Sequence, residues 1–379
     1  FAALSGTLTK RSILDYYHLI SWALREGSPL PRPWVDAQPW AQALDEIGDG
    51  PFDRRVRPGA LVRLCETPTE AAALSRGDTH TARTVFRSRL LKTRGVVSTQ
   101  NTLTLPLLVD ATPLRIFEND GVTAWEGFRE EWLLPDGTPL VDGLELTRHA
   151  REMALGFFYK WQDKAPDSWL KRRKEWGRFV RETLKHSGRL DTELQVLQAI
   201  KAKSFGRWAE GEEIYNEWAS VKNEFIPETV AEWLSDRVLH WCANWIANNP
   251  RGIVWVDHTA FGQRLEAISG APYFGPQGLD KQGRAIASFK GPAIAGFASS
   301  GTGRNLQWWH TNLLTAPPPT GARLEQVLGR THRLGTVATE VRNTLLLNCF
   351  EHLKTFWRSV GDCEYTQATT GLVQRISGA

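Results

Sequence analysis

Four short apolar runs in the last third of the chain limit its fold more than any other feature. They are Gly252 to Asp257, Pro292 to Phe297, Asn312 to Thr315 and Val341 to Cys349. Each is too short for a globular helix and rich in β-branched or small residues, so each reads as a buried strand. The first is followed by the helical run Thr259 to Ile268, and Gly283 to Lys290 also reads as a helical connection. Strand and helix in alternation predict an α/β fold, with a parallel sheet and flanking helices.

Between the third and fourth runs lies Gln326-Val327-Leu328-Gly329-Arg330-Thr331-His332-Arg333-Leu334-Gly335. On a helix, Gln326, Arg330 and Arg333 fall at i, i+4 and i+7 and leave from one face. Neither arginine has a carboxylate three or four positions away. Two planar guanidiniums without a local counter-ion suit an outside anion, phosphate above all. Upstream, the Pro292 to Phe297 strand runs into Ala298 to Leu306, a loop of small residues containing Gly301, Thr302, Gly303 and Asn305. Such a loop lets backbone N–H groups approach a phosphate or sugar.

These segments resemble the signature motifs of superfamily 2 helicases, in the form of the Snf2-like branch. The Gln326 to Gly335 stretch is similar to motif VI, and Gly301 to Leu306 to motif V, with Arg304 where the family often has an apolar residue. Gly252 to Asp257 resembles motif IV, and Leu4-Ser5-Gly6-Thr7 resembles motif III, so the four stand in family order. The resemblance implies a RecA-like lobe, ATP with Mg2+, and a nucleic-acid strand, DNA favoured over RNA. It implies that Arg330 and Arg333 stabilise charge on the transferred phosphoryl group. Gln326, Gly329, Gly301 and Gly303 would then border the nucleotide, and Thr302 and Asn305 the nucleic-acid backbone. No G-x-x-x-x-G-K-[ST] phosphate loop occurs in the chain. Asp45-Glu46 reads as surface, not as the acidic metal pair, and no metal site is expected. The expectation is the C-terminal portion of a helicase or translocase, itself a hydrolase when intact. A non-hydrolysing nucleic-acid-binding or regulatory module is the alternative.

The organisation expected from these anchors is the end of a first RecA-like lobe over 1–114 and a connector over 115–142. A helical block over 143–250 and a second RecA-like lobe over 251–379 follow. Arg83 to Leu91 and Gly95 to Ser98 read as strand-like, Ser28 to Pro58 as loops, and Asn119-Asp120-Gly121 and Pro135-Asp136-Gly137 as turns. Helices are expected over Ser12 to Leu24, Glu145 to Trp161, Ser168 to Lys185, Thr192 to Ser204, Ala209 to Val221 and Val230 to Asn248. Within the block, Lys174, Arg178, Arg181 and Lys185 follow i, i+4, i+7 and i+11, one basic stripe. A stripe of that kind can track phosphates by releasing counter-ions, although many such stripes only solvate a helix. Trp308-Trp309 suits either packing or base stacking.

Composition narrows the rest. A net charge of +4 is mildly basic, so contact with nucleic acid must come from a local patch. No apolar run reaches membrane-spanning length, and no signal peptide precedes the first helix. These features suggest the cytoplasm, a host's if the gene is phage-borne. The four cysteines, Cys65, Cys242, Cys349 and Cys363, show no metal or disulfide spacing. His258 and His310 lack a second ligand at metal spacing, and His332 suits a positional role within its motif.

Overall fold

The computed structural model describes residues 9, 11–45, 58–98, 103–114, 122–187, 190, 192–226, 228–301 and 303–378. Leu4 to Thr7, Glu46, Asn119 to Gly121 and Thr302 lie outside them. Polar caps start the N-terminal helices. Ser12 accepts the Leu14 N–H and heads a 3-10 turn that leads into α1 (Tyr17–Leu24). α2 (Trp34–Leu44) forms inside the Pro- and Gly-rich stretch read as loops. A Thr67/Glu70 capping box opens α3 (Pro68–Ser75), and the Asp78 carboxylate, accepting from the His80 and Thr81 N–H groups, opens α4 (Thr79–Lys92). The strand expected over Arg83 to Leu91 is therefore a helix, and no strand forms over Gly95 to Ser98. Ala82, Val85, Phe86 and Leu90 are buried at helical spacing, which settles the period.

β1 (Leu107–Thr112) comes next, then α5 (Val122–Glu131) and a small turn at Pro135 to Gly137 closed by the Leu134–Thr138 bond. α6 (Gly143–Met153) begins at the Asp142 cap and stops short of the expected Trp161. The reason is Gly156, at φ +90°, where any Cβ would overlap the Ser235 carbonyl. Beyond it the aromatic run Phe157 to Trp161 is strand β2. α7 (Asp167–Ser187), α8 (Glu193–Lys201) and α9 (Trp208–Val221) match the sequence reading closely. β3 (Thr229–Trp233) pairs antiparallel with β2, so the helix expected over Val230 to Asn248 is a strand followed by α10 (Arg237–Asn248).

The remaining elements alternate: β4 (Gly252–Val256), α11 (Thr259–Ser269), β5 (Tyr273–Phe274), β6 (Ala293–Gly296), α12 (Phe297–Ser300), β7 (Thr311–Leu314), α13 (Gly321–Thr331), β8 (Val341–Leu346) and α14 (Phe350–Thr370). Over Gly283 to Lys290 only a 3-10 turn forms, at Ile286–Ser288, because Asp280 folds the chain back by accepting the Gln282 and Arg284 N–H groups. Six strands make one sheet in the order β1-β8-β7-β4-β6-β5, every pairing parallel. Successive residues of β4 feed opposite cores, as the strand pleat requires. Ile253 and Trp255 pack with Leu324, Val327 and Leu328 of α13 and Phe356 of α14. Val254 and Val256 pack with Val238, Leu239 and Cys242 of α10 and Phe261 and Leu265 of α11. Helices cover both faces, which is why these strands read as unbroken apolar runs.

Two expectations about the first 114 residues change. β1 lies in register with β8, Leu107 opposite Val341, so it belongs to the sheet of the 251–379 segment. The N-terminal helices pack on α14, sharing a core that includes Tyr365, and Arg11 pairs with Asp362 at 2.6 Å. Asp45 is no free surface acid. It accepts from the Ile13 N–H and the Tyr365 hydroxyl, and burial raises its pKa. Among the described residues no helix is long and apolar enough to cross a membrane.

Buried His352 ties stability to pH. Burial, then the nearby Arg151 and His258, push its pKa from 6.5 down to about 3. An unfolded chain takes up this proton below about 6.5 while the folded one refuses it until about 3. Stability from this group is therefore present above 6.5 and lost as pH falls towards 3. Thermal unfolding between pH 7 and 4 should show a steep acid limb that flattens in His352→Leu. An equal slope in both proteins would remove His352 from the account.

Candidate functional site

In a parallel sheet, ligand crevices open where strands end at their carboxyl edge. Here the ends of β4, β6 and β7 border a cleft of about 110 Å³ lined by Asp257, Ala298, Gly301, Pro318, Pro319, Arg323 and Gln326 among others. The structure thus brings Gln326 and Gly301 together across one opening. It adds Arg323, exposed on α13 one turn before Gln326, which sequence reasoning passed over. The spacing Arg323-x-x-Gln326 was the available signal. Thr320 caps α13 by accepting the Arg323 N–H, so both side chains leave from its first turns.

The glycines divide. Gly303, at φ +73°, has open space around its Cα and suits a loop that bends towards a ligand. Gly301 is buried, and a Cβ there would strike the Phe297 carbonyl, so its smallness serves the chain's own turn. Gly329 does not line the cleft. The Arg375 guanidinium lies over it, 3.1 Å from where a Cβ would stand, so the expected nucleotide contact is replaced by an intramolecular one.

The two arginines do not share one helical face. α13 ends at Thr331, and His332, with ψ 83°, turns the chain before Arg333. Arg333 is exposed and its side chain bonds to no described residue. Arg330 is half-buried at the end of the helix. Its Nε donates to the Gln326 carbonyl at 3.0 Å and its Nη1 to the Arg304 carbonyl at 2.9 Å. In return the Leu306 N–H donates to the Arg330 carbonyl at 3.1 Å. The loop after Gly303 and the last turn of α13 are therefore bonded in both directions. Burial, then the charges of Arg333 and Arg375, lower the Arg330 pKa, although a guanidinium stays protonated.

A buried amide holds this helix end. Asn312 of β7 accepts from Trp255 Nε1 at 3.0 Å, and its Nδ2 donates to Thr331 Oγ1 at 3.0 Å. His332 Nε2 donates to the Leu105 carbonyl at 2.7 Å, because a carbonyl can only accept; this anchors the segment before β1.

Asn305 is exposed on the loop. The basic stripe of α7 is split. Lys174, Arg178 and Lys185 are exposed, and none pairs with an acid among the described residues. Arg181 turns inward, bonds to the Leu140 carbonyl and sits 5.8 Å over the Trp132 ring, so packing removes it from the stripe. Trp309 is buried with its Nε1 on the Gly291 carbonyl, a core residue; Trp308 is half-buried with Arg251 over its ring. His258 packs edge-on to Phe157, and burial lowers its pKa. Among the described residues no group of three His, Cys, Asp or Glu could hold a metal ion.

No family model matches this chain, and no curated protein matches it. Among solved structures, the C-terminal part of the Fun30 ATPase domain is similar at a TM-score of 0.35 and 10% sequence identity. The match covers 70% of this chain and 97% of that one. A TM-score of 0.35 is too low for the likeness to bear on function. What the chain itself establishes is an α/β fold with a six-stranded parallel sheet flanked by helices.

Proposed function

We propose that this chain supplies the second RecA-like lobe of an ATP-dependent nucleic-acid helicase or translocase, of the Snf2-like branch of superfamily 2. The observation that carries the reading is the two-way bonding between the Arg304–Leu306 backbone and Arg330. It joins the loop that resembles motif V to the helix that resembles motif VI. A phosphate competing for the Arg330 fork would take it from the Arg304 carbonyl. The loop carrying Asn305 would then lose one of its two ties to α13, which is a physical route from nucleotide to strand contact. Bound ATP would supply the phosphoryl group, with Mg2+ held mainly by the accompanying first lobe of the intact enzyme. Arg333, exposed and unpaired among those residues, needs no bond broken to meet a phosphate oxygen. Gln326 and Arg323 would orient polar groups at the cleft.

A second reading is favoured by one observation, the lack of a G-x-x-x-x-G-K-[ST] loop in the sequence. It makes the chain a binding or regulatory module without hydrolysis. Both readings require a nucleic-acid surface, and α7 offers it. Replacing Lys174, Arg178 and Lys185 with Gln should weaken binding to a labelled oligonucleotide. It should also flatten the log–log salt slope by roughly 2 to 3, about one unit for each phosphate no longer neutralised. Arg181 is left in place because it packs. Unchanged affinity and slope in fluorescence anisotropy would return α7 to a solvated face and deprive both readings of this surface.

A further inference from the structure

We propose that Arg375 is a third phosphate-directed arginine, completing with Arg330 and Arg333 a polyphosphate site at the end of α13. This rests on the phosphate reading of the other two. Arg375 stands 45 positions after Arg330 in sequence, so no motif spacing announces it; the fold brings it back. The chain beyond α14 crosses α13, and buried Glu325 fastens it there. One Glu325 oxygen accepts the Ile376 N–H at 2.9 Å, the other the Arg375 N–H at 2.9 Å. The second oxygen also meets Arg375 Nη1, at 3.4 Å. With the backbone fixed, the guanidinium lies across Gly329, its Cζ and both Nη atoms within 3.2 Å of the Cβ position there. A Cβ at position 329 would crowd that approach, and Gly329 is the residue immediately before Arg330.

The electrostatics are unbalanced. Three guanidiniums gather around one helical turn, and Glu325 is the carboxylate that the hydrogen bonds bring to them. Arg333 and Arg375 each press on Arg330 by like-charge repulsion. Among the described residues, Arg375 Nε is buried and has no acceptor, and the exposed Arg333 side chain has no bonding partner. Like charges held together at a cost, with donors to spare, are relieved by a multivalent anion. A chain of phosphates can accept from several forks at once.

The test titrates tripolyphosphate into the 379-residue chain at low salt by calorimetry, with sodium chloride of matched ionic strength as background. Wild type should bind, and Arg375→Ala should weaken binding about tenfold or more, as Arg333→Ala should. Arg375→Lys should recover only part, since an ammonium keeps the charge without the fork. Both backbone bonds to Glu325 survive in Arg375→Ala, so its melting temperature should stay close to wild type. A weakening that tracks a fall in melting temperature would make Arg375 structural and overturn the proposal. If Arg333→Ala weakens binding and Arg375→Ala does not, the Arg375 assignment falls while the phosphate reading of the pair stands. If Arg375→Ala alone weakens it, the reading of the pair fails and the three-arginine site falls with it. Binding of a single-stranded oligonucleotide but not of tripolyphosphate would reassign the cluster to nucleic-acid backbone, and absence of any binding would end both ideas.

Discussion

In an enzyme where a phosphate-binding lobe accompanies this one, Arg333→Ala should cut ATP turnover by roughly 10³–10⁵-fold, the range for arginine fingers. The expectation follows from its geometry, because an exposed fork without a partner among the described residues has little to contribute to the fold. Melting temperature should therefore stay unchanged. Arg330→Ala should lower turnover as well and also destabilise. Its loss, worth about 1–3 kcal/mol, removes the side-chain donors from the Gln326 and Arg304 carbonyls, the former keeping its helical N–H donor. Arg330→Lys should rescue neither property, since one ammonium cannot span both carbonyls. ATPase rate and thermal unfolding on the same preparations decide the matter. Full turnover per folded molecule in Arg333→Ala would sink the proposed mechanism.

The largest expected effect on stability comes from Trp255→Ala, about 3–5 kcal/mol. The indole is fully buried, packed 6.1 Å centroid to centroid against Phe297. Its Nε1–H is the donor that fixes the Asn312 amide. Truncation leaves a cavity and frees Asn312, which then holds Thr331 less firmly. Asn312→Leu should cost less in packing but strand the indole N–H and the Thr331 hydroxyl. In urea, both variants should shift the unfolding midpoint with little change in slope. A Trp255→Ala midpoint within error of wild type would contradict the packing described.

The parallel sheet was legible in the sequence because its central strands are buried on both faces and carry no polar alternation to confuse them. α7, α8, α9 and α11 were legible from helical spacing. β2 and β3 were not. They abut the genuine helices α6 and α10, and periodicity alone cannot show that Gly156 breaks the chain where Ser235 approaches. β1 was missed for another reason, since its only partner in the sheet is β8, far away in sequence. Within the site, Gln326, Gly301 and Gly303 carry local signals. The bend at His332 does not, because it is set by bonds to Asn312 and Leu105 that only the tertiary fold supplies. Arg375 was invisible for the same reason.

The pairing of β1 with β8 also sets a timetable. Leu114 bonds through its N–H to Asn348, 234 residues further along the chain. A ribosome adding 5–20 residues per second needs roughly 10–50 s to cover that gap. Throughout that interval β1 has emerged and its strand neighbour does not yet exist. α7, α8 and α9, which pack mainly on one another, can form while it waits, and β4, β6 and β7 can assemble without it. β8 is the strand of this sheet made last and the one that recruits β1, so the sheet closes only once β8 has left the ribosome.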